Sequence, residues 1–376
     1  MSVWNYYNEE NKMKRVLQII NKMGYGGIES FLMNMYRNVD RDTIQFDFAC
    51  TSREEGDYDK EIKKLGGNFY YFEHRRKNPI KYYKDWNDFL KKNASKYFAI
   101  SLNCSSLTSI IPIILAKKYG IKNRIIHAHS TNQRGLIHKL LFSINKKRVS
   151  NYSTKLLACS TEAGNFVFGK KNKFELFHNG INTDDFIYNS NTREKVRKKF
   201  NISENETALV HVGRFVYAKN HSFLIDVFKE ICKTENNYKL FLIGTGELED
   251  NIKNKVKKMD LCDKVFFLEN RNDVNEILQG MDLFIFPSNY EGLPVTLIEA
   301  QASGIEIYAS ENISHESKIT DLIHFLPLEI EATGWSKEIL KKEKYIRKNM
   351  KNEIVNNSYD VKKLSNDLTK IYLNDN

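Results

Sequence analysis

Along the first part of the chain, short apolar runs alternate with stretches whose apolar residues recur at helical spacing. Val16-Leu17-Gln18-Ile19-Ile20 reads as a strand and Gly24-Tyr25-Gly26-Gly27 as a turn, while Ile28, Leu32, Met35 and Tyr36 share one face of a helix over 28–38. Further strand-like runs fall at 46–50, 68–72, 98–102, 124–128 and 155–159. Helical stretches separate them, among them 79–92, where Pro79 suits a first turn. Strands alternating with helices imply a parallel sheet covered on both faces. A cluster of turn formers at 177–186 interrupts this pattern, which restarts with strands expected at 207–212, 239–243, 264–268 and 282–286. From Lys337 the tail reads as charged helices. The pattern predicts an α/β chain of two doubly wound domains, facing each other across a cleft at the carboxyl ends of their strands. The first is expected over 1–180 and the second over 181–354, with a terminal helix at 355–376 packing back on the first.

The densest chemistry lies in Pro287-Ser288-Asn289-Tyr290-Glu291-Gly292-Leu293-Pro294, where a strand ends and Pro294 opens a helix that stops near Gly304. Free N–H groups and a dipole worth about half a positive charge make that helix start suitable for a phosphate. Glu291 lies just outside the helix and Glu299 well inside it, so the two need not share one task. Beside a phosphate a carboxylate is repelled, so each is expected to accept hydrogen bonds from hydroxyls, as sugars and ribose offer. Two ordinary surface glutamates are the competing reading.

Arg214 and Lys219 lie in a second strand-to-helix connection, where a planar fork and a point charge can converge on one diphosphate. Surface ion pairing is the alternative there. Gly26-Gly27 lets backbone approach a ligand, or simply makes a tight turn, and the stretch lacks the third glycine of a dinucleotide fingerprint. His127 and His129 end a strand, so one imidazole can face the cleft; buried structural histidines are the alternative. No third ligand is suitably spaced for zinc, and Asp40-Arg41-Asp42 and Asp57-Tyr58-Asp59 lie away from strand ends, so no metal site is expected.

Charge changes the picture by region. The 376 residues carry a net charge of +11, but residues 1–185 hold 31 basic against 18 acidic side chains, and the remainder 27 against 29. A basic first half can attract nucleic acid, an anionic bilayer or an anionic substrate, or form a solvated surface. No nucleic-acid-binding module or aromatic stacking platform is present, so nucleic acid is not an expected partner. His74-Arg75-Arg76-Lys77 and the helix carrying Lys81, Lys84, Trp86, Lys91 and Lys92 are the candidates for a membrane surface, with Ile80, Tyr83 and Leu90 expected to face the core. The opening 1–14 is polar and unlike a signal peptide, and the apolar run 107–116 is too short to span a bilayer. Five scattered cysteines with no Cys-x-x-Cys exclude a disulfide scaffold and suit a reducing cytoplasm.

In motif order over about 14–309, the chain resembles glycosyltransferase family 4, retaining enzymes of the GT-B fold with two Rossmann-like domains, and is similar to bacterial capsular and exopolysaccharide glycosyltransferases. The match is most specific at Glu291 and Glu299 within Pro-Ser-x-x-Glu-Gly-x-Pro; Gly26-Gly27-Ile28-Glu29, His127-Ala128-His129, Asn179-Gly180-Ile181, Gly213-Arg214-Phe215 with Lys219-Asn220, and Gly244-Thr245-Gly246 support it. The resemblance implies that Arg214 and Lys219 bind the donor diphosphate, Glu291 contacts the transferred sugar, Glu299 holds the ribose hydroxyls, and His129 sits beside the reacting sugar. It makes Gly26, Gly27, Gly292 and Leu293 donor-site residues and puts the base near 268–271, at Arg271. Two departures stand out: Glu269 where relatives often carry glycine, and Ile305 after Gly304 where they carry a Pro-Val pair.

The implied activity is a retaining hexosyl transfer from a nucleotide-diphosphate sugar, expected to be a UDP-sugar, with no cofactor and no metal. The implied acceptor is a polyprenyl-diphosphate-linked saccharide, taken on the side of the first domain (1–180) while the second (181–354) binds the nucleotide sugar, and met by a cytoplasmic enzyme peripheral on the inner face of the cell membrane. No carboxylate is clearly placed as a nucleophile on the sugar's other face, and the resemblance implies a front-side displacement, with the leaving phosphate helping to deprotonate the acceptor. A catalytically inactive accessory protein of this fold, or a sugar-nucleotide epimerase of related fold, are the alternatives.

Overall fold

Runs that are apolar on both sides become strands because helices cover both faces of each sheet. The computed structural model describes residues 13–24, 26–129, 136–341 and 346–374; the polar opening 1–11 and Tyr25 of the glycine turn lie outside these. The chain divides into two compact units: the described residues up to Gly180 together with those from Val361 onward, and Ile181–Asp360.

The first unit holds β1 (Lys14–Ile20), β2 (Ile44–Cys50), β3 (Phe69–Tyr71), β4 (Tyr97–Cys104), β5 (Asn123–Ala128), β6 (Lys155–Ala158) and β7 (Glu175–Leu176). They form one parallel sheet in the order β3-β2-β1-β4-β5-β6-β7. Every residue of β2 is buried, as a strand sandwiched by helices requires. The terminal helix Val361–Leu373 sinks Val361, Leu364, Leu368 and Tyr372 into the core that also holds Val16, Phe46 and Phe48.

The helix Pro79–Asn93 corrects one expectation. Its buried stripe is Tyr82, Trp86 and Leu90, while Ile80 is 82% exposed and Tyr83 47%. The spacing of four repeated along 82, 86 and 90 keeps one face inward, and Ile80 and Tyr83 fall off that face. Trp86 is fully buried and stacks 3.9 Å from the Phe72 ring, so it packs the core and cannot touch a membrane. Among the described residues no helix is long and apolar enough to cross one.

The second unit repeats the architecture with β8 (Thr207–Val212), β9 (Tyr238–Ile243), β10 (Val265–Phe267), β11 (Leu283–Phe286), β12 (Glu306–Ser310) and β13 (Ile323–Leu326). Their order, β10-β9-β8-β11-β12-β13, is again wholly parallel. In each sheet the order reverses direction at a central pair, β1 beside β4 and β8 beside β11. Loops leaving the carboxyl ends of such a pair diverge and leave a crevice for a ligand.

Candidate active site

β8 and β11 feed the loops that carry Arg214, Lys219 and Glu291. Asn289 ties these loops together: its backbone N–H donates to the Ala218 carbonyl at 2.8 Å, and its side-chain amide donates to the Tyr217 carbonyl at 2.7 Å. With the loops clamped, Lys219 Nζ lies 2.8 Å from Glu291 Oε1 and 4.5 Å from the centroid of the Phe286 ring. On the other side, the Ser314 N–H reaches the carbonyls of Glu291 and Gly292, both at 3.3 Å. Glu291 therefore already receives a hydrogen bond from an ammonium, where the sequence suggested only hydroxyl donors. The clamp brings opposite charges together in a half-buried place, where their attraction is less screened than in water.

Glycine makes the close approach under Lys219 possible. A Cβ on Gly213 would lie 3.1 Å from Lys219 Cδ and Cε, and one on Gly244, whose φ is +133°, only 2.3 Å from the Gly213 carbonyl oxygen. Arg214, by contrast, is exposed, and its side chain makes no hydrogen bond or ion pair among the described residues. Its guanidinium is available to an anion, whereas Lys219 must exchange one partner for another.

The helix Val295–Ala302 starts just beyond Gly292 and Leu293, with Pro294 as its cap and no side chain bonded to its first N–H groups. Nearby in sequence, Ser288 Oγ and Thr296 Oγ1 are buried without a partner among the described residues. Unsatisfied buried polar atoms call for an explanation, and a polar ligand at an uncapped helix start is one. Sequence reasoning missed His211 and His221, whose rings lie 4.6 Å apart. Burial, aided by the Lys219 charge, holds both below the usual histidine range, so they add no positive charge beside that lysine.

Glu299 and Arg271 line one cavity of about 530 Å³, together with Phe186, Val212 and Asn275. Burial pushes the Glu299 carboxyl up to about 7. Arg271 is held as a two-pronged fork on Asp273, at 2.7 and 2.6 Å, and Lys199 reaches the same carboxylate at 2.9 Å. Asp273 is thus a missed residue that aims an expected one; an acid two positions after Arg271 was the available signal. Glu269 adopts φ +51°, and its carbonyl accepts the Gly244 N–H at 2.7 Å. Left-handed backbone favours glycine, which accounts for the glycine expected in relatives near this position.

The remaining expected residues, Gly26, Gly27 and His129, belong to the first unit. A Cβ on Gly26 would sit 2.3 Å from Glu29 Oε2, so this glycine makes room for the chain's own carboxylate; Gly27 has nothing within 4 Å and is the one open to a ligand. His129 is buried, and its Nε2 lies 3.2 Å from Asn103 Oδ1. Asn103 donates in turn to Gln18 at 3.0 Å, and Gln18 to the Tyr372 hydroxyl at 2.8 Å. Asn103 Oδ1 can only accept, so Nε2 carries the proton and Nδ1 is left as an acceptor. Burial pushes His129 down to about 3, so the ring is neutral at physiological pH. Among the described residues no group of three His, Cys, Asp or Glu side chains is placed to hold a metal ion.

Residues 192–321 match the family model described as Glycosyl transferases group 1. Putative glycosyltransferase EpsF of Bacillus subtilis is 30% identical over 81% of both chains. The capsular polysaccharide biosynthesis glycosyltransferase CapH of Staphylococcus aureus is 27% identical over 96% of this chain and 99% of its own. A third relative, 26% identical over 55% of this chain and 56% of its own, is the Escherichia coli UDP-Gal:alpha-D-GlcNAc-diphosphoundecaprenol alpha-1,3-galactosyltransferase. Among solved structures, Anabaena HepE in complex with UDP superposes with a TM-score of 0.72 over 96% of both chains at 13% identity, which shows the shared GT-B fold. The chain belongs to the group 1 glycosyltransferases, and its activity is that of a glycosyltransferase. The accessory-protein and epimerase readings are not favoured, since these relatives are named as transferases.

Proposed function

We propose that this chain moves a hexosyl group from a UDP-sugar to a saccharide carried on a polyprenyl diphosphate, with retention of configuration and without a metal, in the synthesis of a bacterial surface polysaccharide. The observation that carries the reading is the Lys219–Glu291 pair beside an uncapped helix start. The resemblance to family 4 supports the retaining course, and the names of the relatives support the class of product and acceptor.

In this reading the uridine ribose enters the cavity of Glu299, with the base toward Arg271. As the sugar C1–O bond breaks, negative charge gathers on the departing diphosphate. Arg214, the amides at the start of Val295–Ala302 and Lys219 receive it, and Lys219 turns from Glu291 toward phosphate. Glu291 Oε1 is then free to accept from a sugar hydroxyl. The acceptor oxygen bonds to C1 on the face the phosphate leaves, and its proton passes to a departing phosphate oxygen. Neutral His129 contributes a hydrogen bond beside the sugar and no charge. The basic first half, with His74-Arg75-Arg76-Lys77 on it, holds the protein to the anionic inner leaflet.

The test is transfer of label from a panel of UDP-hexoses to undecaprenyl-diphosphate-linked N-acetylglucosamine, with and without EDTA, and NMR of the product's anomeric centre. An axial product from an axial donor, made equally in EDTA, is expected. Inversion, loss in EDTA, or no transfer from any UDP-sugar overturns the corresponding part of the reading.

A further inference from the structure

The terminal helix Val361–Leu373 delivers a hydroxyl to the interior of the first unit. Tyr372 is buried, and its oxygen accepts from Gln18 Nε2 at 2.8 Å. Gln18 Oε1 accepts from Asn103 Nδ2 at 3.0 Å, and Asn103 Oδ1 faces His129 Nε2 at 3.2 Å. All four side chains are buried, with Gln18 on β1 and Asn103 on β4, the central pair of the sheet. The direction of the chain is set at Asn103. Its Nδ2 also lies 3.5 Å from the Ser101 carbonyl, which can only accept, so turning the amide over would set oxygen against oxygen. Every bond therefore donates away from His129, and the ring keeps its proton on Nε2. His127, whose ring lies 4.0 Å away, is anchored separately through Nε2 on the Phe177 carbonyl at 3.2 Å.

Apolar side chains in these places would leave no polar atom to satisfy, so folding alone gives little reason for the chain. Its consequence lies at the other ring nitrogen. His129 Nδ1 is left as an acceptor, buried and without a partner among the described residues. The Asn179 side chain also interacts with this ring, and its Oδ1 is likewise buried and unpartnered. Two acceptors cannot satisfy each other, so the place calls for a donor that no described residue supplies.

We propose that Asn103, Gln18 and Tyr372 are positioning residues that fix His129 in its Nε2–H form, so that Nδ1 accepts a hydrogen bond from a hydroxyl of the sugar. Each acts through the next, as a group behind a histidine does when it selects the tautomer. The terminal helix thereby reaches the site histidine without touching substrate. That the hydroxyl belongs to a sugar rests on the proposed transfer reaction; the tautomer does not.

Long-range proton–nitrogen NMR on the whole chain with 15N-labelled histidine, His129 being assigned by comparison with His129→Gln, tests the tautomer without substrate. The wild type is expected in the Nε2–H form at pH 7. Asn103→Leu should move the ring toward the Nδ1–H form, which Asn179 Oδ1 can accept. Tyr372→Phe removes a single oxygen and should shift the balance the same way by less, which keeps the test open if the leucine variant does not fold. An Nδ1–H or doubly protonated ring in the wild type overturns the proposal, as does a tautomer unchanged in both variants. Kinetics then read the hydroxyl. Among monodeoxy analogues of the transferred UDP-hexose, one should lower kcat/KM about a hundredfold in the wild type and less than about tenfold in Asn103→Leu. Equal discrimination by both proteins, or none by the wild type, overturns the part assigned to the sugar. If no UDP-sugar is transferred at all, the transfer reading fails while the NMR comparison still decides the positioning.

Discussion

Lys219 Nζ sits 2.8 Å from Glu291 Oε1, although the two residues ride on loops leaving different strands; β8 beside β11 brings those loops near each other, and the Asn289 bonds to Tyr217 and Ala218 clamp them. The pair holds a cation and an anion at one point, and in the proposed transfer each turns to a different part of a sugar diphosphate.

Disrupting this pair should affect turnover far more than folding. The side chains are 15% and 22% exposed, and an ion pair near solvent contributes about 0–1 kcal/mol to stability. Glu291→Gln and Lys219→Met should each lower kcat roughly a hundredfold, the usual cost of one preorganised group, and move Tm by only about 2 °C. Initial rates and thermal melts on the same preparations check both halves of the statement.

Glu299 should make both stability and donor affinity depend on pH, in opposite directions. Its folded pKa of about 7 is raised above the ordinary 4.5, so the stability that the protonated group contributes is full below pH 4.5 and lost as pH rises through 7. Glu299→Gln should therefore melt higher than wild type at pH 8, with the gap closing toward pH 5. If ribose hydroxyls donate to the carboxylate, UDP affinity of the wild type should fall between pH 8 and pH 6, and that of the glutamine variant should not. Calorimetric titration across this window reads the difference.

Two glycines under the site should separate activity from stability. Gly213→Ala presses mainly on the flexible Lys219 stem, besides a 3.0 Å approach to His211 Nε2, so it should displace the lysine and cost activity with a small change in Tm. Gly244→Ala meets the Gly213 carbonyl at 2.3 Å from a backbone with φ +133°, and should destabilise by about 2 kcal/mol or more in denaturant titrations.

At Glu269 the opposite sign is expected. Its φ of +51° is strained for a side chain, so Glu269→Gly should be stabilising by about 0.5–1 kcal/mol, read as a small rise in Tm. Glu269→Val should lower it.

Trp86→Ala should cost about 3–5 kcal/mol, because a fully buried ring stacked on Phe72 leaves a cavity, whereas Ile80→Ala on the same helix should cost almost nothing. Urea unfolding of the two variants tests which face of that helix is the core.

The two kinds of expectation differed in how far they reached. Strands such as Thr207–Val212 were readable residue for residue, because a strand covered on both faces is mostly apolar, here with only Thr207 and His211 breaking the run. The inward face of Pro79–Asn93 was misread because several stripes of apolar residues fit its composition, and only Phe72 packing on Trp86 selects one. Glu291, Arg214 and Lys219 were found as residue types in loops at strand ends, Glu299 inside the helix that follows one such loop, and Arg271 through the resemblance alone. What Glu291 faces, what Arg271 is held by, and why Gly26 is a glycine were not legible, since each answer is another residue's side chain.

Taken alone, the chain's order of apolar runs, turns and charged loop residues determined two parallel α/β units and the loops that hold the chemistry, because those features depend on neighbours close in sequence. The tertiary structure decided that Lys219 pairs with Glu291 and that Arg271 and Glu299 share a cavity. The reason is the sheet order: setting β8 beside β11 brings together loops far apart along the chain, and no local pattern encodes that adjacency.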